Sequence, residues 1–328
     1  MEYHNKNEYP TINEKLDEIE EEYDVEIMMA ADFGSNAWNL DSEESDKDVG
    51  FIFRQKPIEY VKIQGYKENI SRHIEFNGKS HTFQGWNLKR FMEMAHESNP
   101  SAIEFLNSPI TYRSPLTSKN FEAWKDLKQH VNKEFKPIGM FYHYRSMAKN
   151  NYRKYIQKRL VNDKLNESFP ILEEREEEVI IDVSDAEDVF GRQSKLAVNH
   201  SAIQGNSDAW HRTTMDRSVK RHLYAVRALT YARYVAETHQ VPPLDFPKFL
   251  DEEAQKLVEK DAVPKEVIRR LKVWTQMKKD GKGSEEVGNP LGDWIEEELS
   301  EHLDNPKHNV RGVEKQKVNE TLEQVLTG

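Results

Sequence analysis

The stretch GSNAWNLDSEESDKDVGFIF, residues 34–53, decides the fold prediction for the N-terminal part of the chain. It opens with a Gly-Ser pair directly after a short apolar run of strand length, residues 24–33. It ends in a second apolar run, residues 49–54, which Asp46 and Asp48 precede. Two strands joined by a polar loop with these two pairs predict a mixed α/β fold that carries a site in the loop.

The residue types in this loop indicate a cation and a phosphate. Residues two apart on a strand point to the same side, so Asp46 and Asp48 would present two carboxylates together. Hard divalent cations such as Mg²⁺ prefer oxygen ligands and share phosphate oxygens. Glycine permits close backbone approach, and a serine hydroxyl can hold a phosphate, so Gly34 and Ser35 would bind a triphosphate. The alternative is a solvated acidic loop, because Asp-x-Asp is a common sequence.

The pattern along the chain predicts an α+β protein in two parts. Residues 1–115 mix strand and helix signals, including a hairpin at Asn77-Gly78, and form the first domain. Residues 116–328 form an all-helical second domain, interrupted at about 162–216 by a stretch rich in acid, then in Ser, Asn and Gly. We interpret this insertion as solvated and partly disordered, or alternatively as a regulatory flap or a partner-binding arm.

Composition excludes several classes of protein. The 328-residue chain has a formal net charge of −11, which argues against a generally basic nucleic-acid binder but not against a local basic groove. It has no cysteine, so disulfides, thiolate metal sites and thiol nucleophiles are excluded. A polar N-terminus and the lack of any apolar run of about 18 residues predict a cytoplasmic protein with no membrane partner. The sequence leaves the oligomeric state open.

Four stretches in order resemble a known family. These are residues 34–53, 85–112, 141–156 and 219–235. They are similar to the DNA polymerase beta nucleotidyltransferase superfamily, and more narrowly to the RNA repair pathway DNA polymerase beta family. The resemblance implies a polymerase beta-like mixed sheet with helices, a nucleoside triphosphate (NTP) substrate and Mg²⁺ or Mn²⁺ as cofactor.

The resemblance also implies roles for single residues. Asp46 and Asp48 would be catalytic and would bind the metal, and Gly34 and Ser35 would hold the triphosphate. Basic and aromatic residues of a later helix would face the nucleotide or an RNA end: Lys220, Arg221, Tyr224 and Arg227. The alternative for that helix is an ordinary surface face with Tyr224 half-buried.

The chain departs from the family at three positions. Thr82 stands where members usually carry a third aspartate, Asn87 where they have Asp, and Gly50 where they often have Arg. A third carboxylate usually activates the attacking hydroxyl, and threonine does this poorly. If the hairpin turns as predicted, Glu75 and His73 share the face of Thr82, and our hypothesis is that catalytic Glu75 replaces the missing aspartate. The alternative is that both are ordinary exposed strand residues.

These observations favour one function over two others. The first is a metal-dependent nucleotidyltransferase that moves a nucleoside monophosphate from an NTP to an RNA end, such as that of a tRNA. The second is a degenerate member that binds nucleotide as a regulatory or interaction module. The third keeps the chemistry but uses a protein acceptor. The sequence does not indicate which NTP is used.

Overall fold

The computed structural model describes residues 9–43, 45–114, 118–204, 209–213, 215–300 and 312–327. Within this part the chain forms two compact units, each drawn from separate stretches of sequence. The first takes in the chain up to Tyr144, Thr230–Gly281 and the stretch from residue 312, and the second takes in Arg145–Leu229 and residues 282–300. No helix in the described part of the chain is long and apolar enough to cross a membrane.

The described elements are these, in chain order. The helices are α1 (Tyr9–Tyr23), α2 (Leu88–His96), α3 (Pro100–Asn107), α4 (Ser118–Glu134), α5 (Pro137–Asn151), α6 (Glu187–Phe190), α7 (His200–Gln204), α8 (Val219–Thr238), α9 (Phe246–Glu252), α10 (Ala254–Glu259), α11 (Lys265–Lys279), α12 (Gly292–Ser300) and α13 (Lys315–Thr327). The strands are β1 (Glu26–Asp32), β2 (Asp48–Arg54), β3 (Asn69–Phe76), β4 (Lys79–Asn87), β5 (Thr111–Arg113), β6 (Arg159–Asn162), β7 (Glu167–Glu174), β8 (Glu178–Asp182), β9 (Lys195–Asn199) and β10 (Trp210–Arg212). A 3₁₀ turn covers Pro57–Val61 and a π-helical turn covers Tyr152–Ile156.

A five-stranded mixed sheet forms the centre of the first unit, in the order β3-β4-β2-β1-β5. The two predicted strands that flank the polar loop are confirmed as β1 and β2, which pair antiparallel. β2 pairs with β4 in parallel, so the starts of these two strands lie side by side. The polar loop therefore opens at an edge of the sheet where two strand starts and one strand end meet.

Helix α1 covers one face of this sheet. Its apolar residues Ile12, Leu16 and Ile19 recur at helical spacing and are almost completely buried. They belong to one core cluster with Phe51 and Phe83 of the sheet. Burial of these aromatic side chains makes the sheet a rigid support for the loop at its edge.

The predicted hairpin is confirmed as β3 and β4. Its turn residues Asn77 and Gly78 have φ values of 50° and 72°, as a two-residue type I′ turn requires. The register pairs His73 with Thr82, as predicted. The turn therefore determines which residues of β3 stand opposite those of β4.

The glycine at position 85 is needed for close packing of β4 on the core. A Cβ added there would lie 2.2 Å from Cε2 of Phe51, a ring that is fully buried. We expect Gly85→Ala to lower the free energy of unfolding by about 1–3 kcal/mol, because the ring has no free space to move into. Urea unfolding measures this, with Ser80→Ala at an exposed position of the same strand as control. Equal midpoints for both variants would contradict the packing argument.

The partly disordered interpretation of residues 162–216 is wrong for the described part of that stretch. β6 to β10 form a second five-stranded sheet, in the order β10-β6-β7-β8-β9, in which every pairing is antiparallel. Residues 205–208 and 214 of the predicted insertion lie outside the described residues. The predicted roles of this stretch as a flap or a partner-binding arm stay predictions.

The second sheet forms because its acidic strands also carry apolar residues at alternate positions. Val179, Ile181 and Val183 are almost completely buried and share a core cluster with Phe169. The high acid content suggested disorder, but the charged residues lie on exposed positions of the sheet. The apolar run of β8, in which Val179, Ile180 and Ile181 are all buried, outweighs net composition here.

The predicted fold class is confirmed: the chain is α+β, with an N-terminal mixed sheet followed by a mainly helical region, to which the structure adds the second sheet. The predicted domain boundary at about residue 115 depends on the loss of strand signals and stays a prediction. The compact units divide the chain differently, since the first unit also includes α9, α10, α11 and α13.

Candidate active site

The candidate site lies at the start of β2, within the first unit. Asp48 is the first residue of β2 and pairs directly with Thr82 of β4. The Thr82 side chain donates a hydrogen bond to the Asp48 carboxylate. Asp46 is exposed and lies close enough to Asp48 to raise the pKa of that carboxyl by repulsion. The structure thus brings together the two aspartates that the sequence predicts as metal ligands.

The loop after β1 forms a tight turn that faces these aspartates. The amide of Trp38 donates to the carbonyl of Gly34 at 3.0 Å, and the amide of Leu40 donates to that of Ser35 at 2.8 Å. The indole Nε1 of Trp38 donates to Oε2 of buried Glu104 at 2.9 Å. The turn is therefore held from its interior side by α3, which leaves the Gly-Ser backbone in a defined position.

Two later helices also hold this turn. The Nδ2 of Asn39 lies 3.3 Å from both carboxylate oxygens of Asp245, which caps α9. Nζ of Lys279 on α11 donates to Oδ1 of Asn39 at 3.0 Å. Contacts with residues far away in the sequence therefore hold this turn in place, although the turn begins only one residue after the end of β1.

Gly34 stands directly against the Asp48 carboxylate. Its φ of +111° is one that residues with a side chain rarely adopt, and an added Cβ would lie 2.5 Å from Oδ2 of Asp48. Ser35 is 7% exposed, and its hydroxyl makes no hydrogen bond to another described residue. The pair therefore combines close backbone approach with a hydroxyl available to a ligand, as its predicted role requires.

The family resemblance implies nucleotide transfer, and we expect Gly34→Ala to reduce that transfer about a hundredfold, because the new methyl group would displace the Asp48 carboxylate by the order of 1 Å. The measurement is the rate of label transfer from an NTP under the conditions given below. Gly78→Ala is the matched control, since Gly78 also has positive φ but an added Cβ there meets nothing within 4 Å. Equal loss of activity in both variants would indicate backbone strain rather than a steric effect on Asp48.

The electrostatics of the site favour a bound cation. Burial, and then repulsion by Asp46, raise the pKa of Asp48 from 3.8 to about 7, while Thr82 and Lys278 act in the opposite direction. A divalent cation would relieve both effects, because it compensates the buried charge and separates the two carboxylates electrostatically.

Asp32, at the end of β1, is a second buried carboxyl near the site. Burial raises the pKa of Asp32 to about 7, and Tyr112, which donates a hydrogen bond from its hydroxyl to Oδ2, partly offsets this. Its Oδ1 is buried and accepts no hydrogen bond from a described residue. The negative charge of Asp48 also raises the pKa of Asp32, so the protonation of Asp32 depends on the charge of the aspartate pair.

Lys278 is a site residue that the sequence analysis missed. It lies on α11, is 9% exposed, and donates from Nζ to Oγ of Ser45 at 3.1 Å. Its charge lowers the pKa of Asp48, and its contact with Ser45 holds the ammonium on the loop that leads into Asp48. No local signal could have identified it, because one lysine of the Lys278-Lys279 pair near the end of a helix, about 230 residues from Asp48, looks like any surface lysine.

Asp46 and Asp48 fit Mg²⁺ or Mn²⁺ as a pair of ligands. Magnesium is commonly bound by one or two carboxylates, with several waters and substrate phosphates completing its octahedron. No group of three or more His, Asp or Glu in the described part of the chain is arranged to hold a metal ion. The pair would therefore bind a metal weakly alone and more tightly with a triphosphate present.

The structure does not bring Glu75 to this site. Glu75 is exposed and pairs with Ser80, two residues along β4 from Thr82 and on a strand that is not adjacent to β2. Two strand spacings separate it from Asp48, which is about 10 Å across the sheet. Glu75 and His73 have the positions of ordinary exposed strand residues, so a third carboxylate role for Glu75 has no support from the geometry.

The predicted basic and aromatic residues lie on α8, in the part of that helix that belongs to the second unit. Arg227 is 1% exposed, and Tyr224 and Lys220 are half-buried. Arg221 donates to Asp216 at 2.9 Å and stacks on the ring of Tyr155 at 3.6 Å. The burial of Arg227 excludes an entirely exposed face, and contact of these residues with a nucleotide stays a prediction.

Two of the three departures from the family have structural explanations. Asn87 is buried and caps α2, accepting from the amide of Lys89 at 3.0 Å, a role that Asn fills as well as Asp. Gly50 packs beneath Phe105, where an added Cβ would lie 3.0 Å from the ring. Only the departure at Thr82 removes a charge from the site itself.

Comparison with known proteins agrees with this geometry. A model of the RNA repair pathway DNA polymerase beta family matches residues 9–327. The Uncharacterized protein YcgL of Bacillus subtilis (strain 168) is 33% identical over 146 residues, which are 44% of this chain and 53% of that protein. The chain thus spans about half the length of this curated relative.

A solved structure is also similar to the chain. It is the crystal structure of a nucleotidyltransferase-like protein from Exiguobacterium sibiricum 255-15, with 12% sequence identity and a TM-score of 0.27. The match covers 96% of this chain and 89% of that one. A score at this level supports no conclusion about fold or function.

Proposed function

Because the chain belongs to the RNA repair pathway DNA polymerase beta family, we propose that it transfers a nucleoside monophosphate from an NTP to an RNA end, with Mg²⁺ or Mn²⁺ as cofactor. The observation that carries this proposal is the close approach of Gly34 to the Asp48 carboxylate, where an added Cβ would lie 2.5 Å from Oδ2, beside Asp46. This approach supports the proposal, because transfer of a nucleotide would need the Gly34-Ser35 turn as phosphate holder and the two aspartates as metal ligands at the same sheet edge.

The residues at this edge would bind the triphosphate in a defined orientation. The Gly34-Ser35 turn would hold a phosphate through the Ser35 hydroxyl and backbone amides. The ammonium of Lys278 would neutralise a further phosphate charge, since it contacts Ser45 in the same loop and its charge acts on Asp48. Asp46 and Asp48 would hold the metal, which supplies charge neutralisation at the attacking and leaving oxygens.

The reaction joins an acceptor hydroxyl oxygen to the α-phosphorus of the NTP. The bond between that phosphorus and the oxygen of the β-phosphate breaks, and pyrophosphate leaves with the electron pair of that bond. The hydroxyl proton must pass to a base. Thr82 cannot accept it at neutral pH, so an ionised carboxylate of the site, Asp46 or Asp48, would accept it. This assignment predicts a slow enzyme compared with one that has a separate third carboxylate.

A second function has one specific observation in its favour. Thr82 replaces a carboxylate at the position paired with Asp48, and no described cluster supplies a third ligand. A protein of this kind could bind an NTP without transferring it and act as a regulatory or interaction module. A third function keeps the transfer but uses a protein side chain as acceptor.

Incubation with each NTP labelled at the α-phosphate distinguishes these functions. Total RNA or total protein serves as acceptor, with Mg²⁺ or Mn²⁺ present. We expect labelled RNA from the native chain and none from the double variant Asp46→Ala, Asp48→Ala. The control is Glu18→Ala, Glu21→Ala, which removes two carboxylates from the exposed face of α1.

Each other outcome of this experiment favours another function. Labelled protein without labelled RNA shows a protein acceptor. Saturable NTP binding without transfer to either acceptor shows a binding module and contradicts the proposal. Transfer that survives in the double aspartate variant would place the chemistry elsewhere.

A further inference from the structure

The second unit contains a cavity of about 660 Å³ that the proposed reaction does not use. Residues of the π-helical turn and of the second sheet line it, among them Arg153, Lys154, Arg159 and Ser168. Its volume lies within the range of about 300–1,000 Å³ that is usual for small-molecule sites. π-helical turns inside helices are frequent at functional sites.

Arg159 is the unusual residue of this cavity. It is the first residue of β6 and is 6% exposed. Its Nε donates to Oγ of Ser168 at 2.9 Å, Nη1 donates to Oε1 of Gln157 at 2.8 Å, and Nη2 donates to the carbonyl of Ser168. A guanidinium has five N–H donors, so two remain without an acceptor among the described residues.

All three acceptors of Arg159 are neutral. No carboxylate of the described chain lies within ion-pairing distance of its guanidinium, although Asp182 and Asp185 also line the cavity. Burial, and then the charge of Arg153, lower the pKa of Arg159 to about 10. A buried charge of this kind is costly unless an anion compensates it, and the chain itself provides none in direct contact.

The neighbouring groups favour an anion with several oxygens. The Ser168 hydroxyl accepts from Arg159, so its own proton is available for a ligand oxygen. Arg153, which is partly exposed, and Lys154, which is exposed, add two cations to the lining. Three carboxylates also line the cavity: Asp182 accepts from the amide and the hydroxyl of Ser184, Asp185 pairs with Arg153 at 3.5 Å, and Glu167 is exposed to solvent.

We propose that this cavity binds a phosphomonoester, with the Arg159 guanidinium and the Ser168 hydroxyl on its oxygens and Arg153 and Lys154 supplying further positive charge. A phosphomonoester carries a charge of about −1.5 to −2 at neutral pH. It therefore balances the charge of two or three cations better than a ligand with a single carboxylate would. The planar guanidinium matches two phosphate oxygens at once. The source of the phosphate is the terminus of an RNA strand or a free mononucleotide, and the terminal RNA source rests on the proposed function.

Binding of short RNA oligomers and of AMP to the full chain tests the site. The probes are one fluorescent RNA sequence with a 5′-phosphate, with a 3′-phosphate or with both ends as hydroxyls. We expect at least one phosphorylated form to bind more tightly than the hydroxyl form. Arg159→Lys should weaken that binding about 10- to 100-fold, since it keeps the charge but loses the two-oxygen contact. Competition by AMP at equal affinity shows a mononucleotide site, and its failure shows an RNA terminus.

Control variants separate binding from folding and from catalysis. Arg153→Gln changes a partly exposed side chain and should also weaken binding, while Arg175→Gln, an exposed ion-paired position outside the cavity, should not. Binding should persist in Asp48→Ala, so that failure of transfer chemistry leaves this proposal untouched. Equal binding of phosphorylated and hydroxyl RNA, or unchanged binding in both Arg159→Lys and Arg153→Gln, would overturn it.

Discussion

Asp48→Asn is expected to reduce nucleotide transfer by the order of 10³-fold or more while the fold persists. The variant keeps the shape of the side chain and can still accept from Thr82, but it loses the charge that a metal ion and the acceptor proton require. Single-turnover transfer with saturating Mg²⁺ measures the loss. Thr321→Val, which changes a buried hydroxyl of α13, is a control for general disturbance of the first unit.

The same variant should make the metal-free protein more stable at pH 8. The pKa of Asp48 is raised from 3.8 to about 7, so between these pH values the folded state retains a proton that the unfolded state has lost. The contribution of Asp48 to stability therefore falls as the pH rises through this window and is unfavourable above it. Asn has no such dependence, so the melting temperature of Asp48→Asn should exceed that of the native chain at pH 8 but not at pH 4. Mg²⁺ should stabilise the native chain more than the variant, and a larger effect on the variant would contradict the assignment.

Thr82→Asp is expected to raise the transfer rate about 10²- to 10⁴-fold, the usual contribution of a positioned general base. Thr82 is the direct partner of Asp48 on the parallel strand, so an aspartate there would place a third carboxylate beside the pair. The variant should also bind Mg²⁺ or Mn²⁺ more tightly, which calorimetry measures without any turnover. In the absence of metal it should melt at a lower temperature, because three carboxylates would repel one another.

Thr82→Asn is the matched control for this gain, because it has the same shape as Asp without the charge. If both variants lose activity equally, the site has lost the geometry for catalysis and the binding-module function is favoured. If Thr82→Asp binds metal more tightly but transfers nothing, the defect lies in acceptor binding or in the NTP contacts of Lys278.

Local sequence patterns predicted those parts of the fold that depend on residues close together in the sequence. The apolar spacing of α1, the two strands around the polar loop and the turn at Asn77-Gly78 each result from contacts within a few residues. The turn in its turn fixed the register between β3 and β4, which places His73 opposite Thr82. The Gly-Ser pair and the aspartate pair were recognisable because their spacing and flanking strands form one motif.

The rest depended on contacts that the chain makes over long distances. Lys278 reaches the site from a helix whose sequence has no special feature, and Asp245 holds the turn from a third helix. The Glu75 hypothesis used the hairpin alone and could not show that β4, rather than β3, pairs with β2. The second sheet was missed because acidic composition was given more weight than alternation of apolar residues such as Val179 and Ile181.

The division of the first unit into separate stretches of sequence affects how the protein folds while the ribosome makes it. Arg54 on β2 donates to the carbonyl of Val325 at 2.9 Å, and α13 packs against α2 and α4. About 170 residues, from 145 to 314, are synthesised between the first stretch of this unit and α13. At about 5–20 residues per second this synthesis takes roughly 10–30 s. Until α13 is made, the apolar faces of α2 and α4 that pack against it are exposed and can bind chaperones. The second sheet lies within one continuous stretch and can form during that interval.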